Sequence, residues 1–84
     1  MTDAASVQAT VKDFILAEFL PGEDPDALTA DMDLYANQIL DSLATLKLVT
    51  FLETTFAISI AAHEADAENL GSLETIGNFV VSKA

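Results

Sequence analysis

The sequence predicts a small all-α protein: a four-helix bundle of three main helices and one short one, with a long loop between helices 1 and 2. Three observations carry that expectation. Apolar residues recur at steps of three and four in separate segments. Helix start and stop residues bracket those segments. The one alternating stretch, Ala57-Ile58-Ser59-Ile60, is too short to stand as a strand.

The first helix is expected over Ala4 to Leu20. Val7, Val11, Phe14 and Ile15 form its apolar stripe, while Gln8, Lys12, Asp13 and Glu18 lie mostly off it. Asp3 is placed to cap its start, and Pro21-Gly22 stops it. The connection from Pro21 to Leu40 is rich in aspartate and holds both prolines. Loops this long tend to be functional or flexible, but Leu28, Met32, Leu34, Tyr35 and Ile39 offer anchors onto the helices.

Asp41 or Ser42 opens the second helix, expected to run to about Thr55. Leu43, Leu46, Val49, Leu52 and Phe56 fall at steps of three or four and form the expected core stripe, widened by Leu48 and Phe51. This helix is expected to be the best buried and central. Residues 57–60 are expected as an extended link that puts Ile58 or Ile60 in the core. A short helical turn is expected over His63 to Asn69. Ser72 caps the last helix, with Leu73, Ile76, Phe79 and Val80 inward. Gly77 costs that helix about 1 kcal/mol relative to alanine, so it must lean on tertiary contacts.

Composition narrows the function classes. The 84 residues make one domain, and a chain of this size buries only about 60–65% of its unfolded surface. With no cysteine, it has neither disulfide nor thiolate metal site. Its 51% hydrophobic content is spread in short pieces, so no membrane insertion is expected. The N-terminus lacks the basic start of a signal peptide, and a cytoplasmic location follows as the expectation. Fourteen acidic residues face three basic ones, Lys12, Lys47 and Lys83, for a net charge of −11. Nucleic acid binding requires neutralising phosphates with lysine and arginine, and is excluded. A field this negative favours encounter with basic protein surfaces.

Catalytic and metal chemistry find little support. Ser42 as a nucleophile needs a base and an oxyanion hole. The single histidine, His63, has no evident partners, and no glycine elbow surrounds Ser42. Asp31-Met32-Asp33 begins like a calcium loop. Its sixth and twelfth positions hold Ala36 and Ser42 instead of the required glycine and glutamate, so the motif fails.

Ser42 has two readings. Aspartate and serine are both preferred N-caps, worth about 1 kcal/mol. If Asp41 caps, Ser42 becomes the first helical residue, with its hydroxyl in water at the positive end of the helix dipole. An attached anion would be stabilised there.

Asp41-Ser42-Leu43 opening a helix, after Leu34-Tyr35 and before Leu52-Glu53 and Phe56, resembles the acyl carrier proteins. The resemblance spans nearly the whole chain, read as a single carrier domain over 1–84. It includes the long first loop, the short third helix and the Leu73-Glu74-Thr75-Ile76 opening of the last helix. It implies an acidic four-helix bundle that is a carrier and no enzyme. A phosphopantetheinyl transferase would attach 4′-phosphopantetheine from coenzyme A to the Ser42 hydroxyl. The arm's thiol would then hold acyl or aminoacyl groups for loading and synthase enzymes with basic docking surfaces. Asp41 would serve as cap and transferase contact, and Leu43, Thr45, Lys47 and Thr50 as the partner surface of a monomer. Leu46, Val49 and Phe51 are candidates to line a shelter for the acyl chain.

Departures from the family pattern refine the expectation. Gln38 and Ala57 stand where many members have glycine, so a slightly different turn before Ser42 is expected. The second helix is poor in acid, with Ala44, Thr45, Lys47, Thr50 and Thr54 on its expected outer face. Among the fatty-acid, polyketide and peptide-type pathways that the resemblance allows, that points to a discrete specialised carrier of polyketide or peptide-like synthesis. The Ile39-Leu40-Asp41-Ser42 run is also similar to the D-alanyl carrier proteins. The tryptophan common near their last helix is missing, which puts that reading second. An unmodified acidic interaction module is the remaining alternative.

Overall fold

Asp3 opens the first helix: its carboxylate accepts the Ser6 N–H at 2.8 Å. In the computed structural model, which describes residues 3–84, the helix α1 spans Ala4–Glu18 and buries Val7, Val11 and Ile15. These three lie four residues apart, the spacing that stacks side chains on one helix face. Phe14, expected in that stripe, is half-buried and stacks on Phe51 at 4.1 Å between ring centroids. Gly22 takes a φ of 85°, a left-handed turn that glycine adopts without steric cost.

The long connection is anchored. A 3₁₀ turn at Pro25–Ala27 is capped by Asp24. Beyond it, Leu28, Leu34 and Leu40 are buried, and Met32, Tyr35 and Ile39 pack against the core. Two backbone hydrogen bonds tie the loop to the far end of the chain: Leu34 N–H to Gly71 O at 2.7 Å, and Glu74 N–H to Ala30 O at 3.0 Å. Asp33 accepts the N–H groups of Tyr35 and Ala36, so its carboxylate is engaged in shaping a turn.

The helix α2 spans Ser42–Phe56, and its orientation corrects the sequence reading. It buries Ala44, Leu48 and Leu52, while Leu43 and Leu46 are 63% and 65% exposed. Apolar residues occupy most of its circumference, so two stripes compete. The four-residue spacing of Ala44, Leu48 and Leu52 wins the core. Ala44, expected outside, faces inward.

Residues 58–61 form a link without regular secondary structure, with Ile58 and Ile60 packed against the core as expected. The Glu53 carboxylate accepts the Ile60 N–H at 2.9 Å and holds this link to α2. The expected single turn at 63–69 is two pieces, a 3₁₀ turn at Ala62–Glu64 and the short helix α3, Ala67–Leu70. Asp66 divides them because its side chain caps α3, accepting the Asn69 N–H.

The helix α4 spans Leu73–Lys83 and is capped by Ser72, which exchanges hydrogen bonds with Thr75. It buries Leu73, Ile76, Gly77, Phe79 and Val80. A Cβ at Gly77 would lie 3.0 Å from Ala4 O and 3.1 Å from the Gln8 Cγ. The bare glycine therefore lets α4 approach α1 closely. The interface of α1 with α4 is the most extensive between helices, and α2 is not the central helix that its composition suggested.

Candidate functional site

The site is built at the entrance to α2. Asp41 has extended backbone, and its Oδ1 accepts the Ala44 N–H at 2.8 Å. Ser42 is consequently the first residue of the helix, exposed, and its hydroxyl is not used for capping. The preceding turn places Gln38 at φ 61°. A non-glycine residue in the left-handed region costs about 1–2 kcal/mol. Gln38 takes the left-handed conformation that glycine favours. Ala57, at φ 55°, does the same where α2 ends.

Beside Ser42 lies an open groove of about 660 Å³ between α2 and residues 62–66. Its lining includes Tyr35, Asp41, Thr45, Leu46, Ala65 and Asp66. The Tyr35 hydroxyl and Thr45 Oγ1 share a hydrogen bond at 3.0 Å. A second open groove of about 510 Å³ runs along the other flank of α2, lined by Phe14, Leu46, Lys47, Thr50 and Phe51 among others.

The structure distributes the candidate residues accordingly. Asp41, Ser42, Leu43, Lys47 and Thr50 are exposed along α2, and Thr45 is half-buried facing the Ser42 groove. Of the proposed shelter residues, Leu46 lines both grooves, Phe51 lines only the second, and Val49 lines neither. His63 is exposed within the 3₁₀ turn at Ala62–Glu64. The Glu64 carboxylate is held below its usual pKa, first by the hydrogen bond from Lys83 at 2.6 Å and then by the Ala61 N–H.

No family model matches the chain. Curated relatives do. The D-alanyl carrier protein of Lactococcus lactis subsp. cremoris strain MG1363 is 34% identical over 70 residues, covering 83% of this chain and 89% of that protein. The D-alanyl carrier proteins of strain SK11 and of Lactococcus lactis subsp. lactis strain IL1403 match to the same extent. The chain belongs to the phosphopantetheine-binding carrier proteins.

Carrier proteins of this kind hold a covalent phosphopantetheine arm and work with partner enzymes such as a transferase and loading enzymes. The residues of this carrier fit such an arm. Ser42 offers an exposed hydroxyl, the α2 N-terminus would favour a phosphodiester charge placed there, and a groove adjoins it. No described helix is long and apolar enough to cross a membrane.

The carrier's outer α2 face is more neutral than the sequence alone implied. Glu53 is half-buried and turned toward Ile60, leaving Leu43, Leu46, Lys47, Thr50 and Thr54 as exposed residues along that helix. Leu46 was assigned to the core by periodicity, and its exposure is the main site feature that the sequence did not disclose. Tyr35 was also missed as a site residue. The tyrosine–threonine pair joins residues ten apart across a turn, which no local spacing rule reports.

Proposed function

We propose that this carrier holds D-alanine as a thioester on a 4′-phosphopantetheine arm attached to Ser42. The observation that carries the attachment is the division of roles at the α2 entrance: Asp41 caps, and Ser42 is left exposed. In the attachment step the Ser42 Oγ bonds to the phosphorus nearer the pantetheine in coenzyme A. The hydroxyl loses its proton and adenosine 3′,5′-bisphosphate departs. The arm's terminal thiol supplies the thioester linkage.

The cargo follows from the relatives' names. Fatty-acid, polyketide or peptide-type synthesis leads the sequence reading, and D-alanyl carriage comes second for want of a tryptophan. Identity of 34% across 83% of the chain outweighs one missing residue and reverses that order. The partner surface is then Leu43 and Leu46 with Lys47 and Thr50 beside them, suited to a partner with an apolar docking pocket. Asp41 contacts the transferase. The protein works as a non-catalytic, monomeric single domain over 1–84 in the cytoplasm.

Loading tests this. After the arm is attached, a D-alanine-activating ligase with ATP and D-alanine should add one hydroxylamine-labile D-alanyl group. A loaded arm that refuses D-alanine yet accepts malonyl or octanoyl groups from fatty-acid enzymes would contradict the cargo assignment.

A further inference from the structure

We propose that the Tyr35–Thr45 hydroxyl pair is a specificity determinant: it closes the route from the Ser42 groove into the core and holds the cargo at the surface. The inference rests on Ser42 being the attachment site.

The positions of the two residues suit that role. Tyr35 and Thr45 both line the groove, and both are half-buried. Their immediate neighbours in the fold are wholly inside: Leu34 precedes Tyr35, and Leu48 lies one turn beyond Thr45, each 0% exposed. Tyr35 also packs against the core cluster, so the pair bounds the groove on a side that adjoins the apolar interior. Its 3.0 Å hydrogen bond joins the loop before α2 to the first turns of α2 itself.

An apolar chain passing from the groove toward Leu34 and Leu48 must separate these two hydroxyls. Both would then lose a part-buried hydrogen bond to an apolar chain, at a net cost of about 1 kcal/mol, or about fivefold. A short polar cargo has no need of that route. The groove gives it Leu46 and Ala65 as apolar surface, with the hydroxyl pair left closed. The closed pair thus favours a cargo of a few atoms over a medium acyl chain, in keeping with an aminoacyl group.

The test attaches octanoyl- or D-alanyl-phosphopantetheine from the matching acyl-coenzyme A to wild type, Tyr35→Phe, Thr45→Val and the double variant. Cleavage of each thioester by hydroxylamine is timed, and backbone amide shifts are compared with those of the unloaded chain. On wild type, octanoyl should be cleaved as fast as octanoyl-coenzyme A, with shifts confined to the groove. In the double variant, cleavage should slow about fivefold, the factor matching one ordinary hydrogen bond, and Leu34 and Leu48 amides should shift. D-alanyl cleavage should be alike in all four proteins.

Octanoyl protected on wild type would overturn the inference, as would a double variant no more protective than wild type. Neither result would touch the attachment at Ser42. Failure of any arm to attach would overturn both. Melting of the unloaded variants shows whether the fold survives, and the single variants keep the test decisive should the double variant unfold.

Discussion

α4 and α2 are both amphipathic helices of one small bundle, and they spend their apolar residues differently. α4 has 11 residues and buries five of them, including a glycine pressed against α1. α2 has 15 residues, buries three, and leaves Leu43 and Leu46 more than 60% exposed. A chain this small has little apolar surface to leave in water. The contrast teaches that α4 turns its apolar residues to the interior, while α2 holds to the core through Ala44, Leu48 and Leu52 and displays Leu43 and Leu46.

The largest effect that could break this division is in the core. Ile76→Ala should cost about 3 kcal/mol, as for other large-to-small changes at fully buried sites. Leu46→Ala should stay within about 0.5 kcal/mol, as for other exposed positions. Urea denaturation of both variants checks this, and comparable losses would end the distinction.

The helix entrance sharpens it at a smaller scale. Asp41→Ala should destabilise the fold by about 1 kcal/mol through loss of the cap. Ser42→Ala should leave stability within about 0.5 kcal/mol, because alanine is well tolerated at a first helical position. If Ser42→Ala were the costlier change, the serine would be the structural residue.

The strained turns flanking α2 come next. Gln38→Gly and Ala57→Gly should each stabilise by about 0.5–1 kcal/mol, the Cβ penalty at positive φ less the greater freedom glycine loses on folding. Thermal melting would show it. A loss at either position would mean that the side chain compensates for its backbone.

Charge supplies the smallest effects. Glu64 has its pKa lowered by Lys83, and a depressed carboxylate stabilises the fold above its unfolded value near 4.5. That contribution is present at neutral pH and is lost as pH falls through the folded value. Glu64→Gln should therefore lower the melting temperature at pH 7 more than at pH 3. Moderate salt should raise the melting temperature of wild type, since a net charge of −11 repels itself.

Much of the fold was legible in the sequence because its signals are local. Asp3 and Ser72 cap as their positions suggest, and the stripes of α1 and α4 are set by residues with few apolar competitors. α2 was misread because apolar residues cover most of its surface, and periodicity alone cannot say which stripe meets the core. Packing decides that, and the small Ala44 joins the buried side. The turn at Gln38 was hidden because a glutamine gives no sign of left-handed backbone. The division of Asp41 and Ser42 was legible only as a choice between two caps, and the geometry made it. The Tyr35–Thr45 bond needed the folded chain.

The central claim is that α2 exists to present Ser42. Intact mass after incubation with coenzyme A, magnesium and a permissive phosphopantetheinyl transferase tests it most directly. Wild type should gain the mass of one phosphopantetheine, and Ser42→Ala, folded, should gain none. No gain on wild type, or a gain that survives Ser42→Ala, would contradict it.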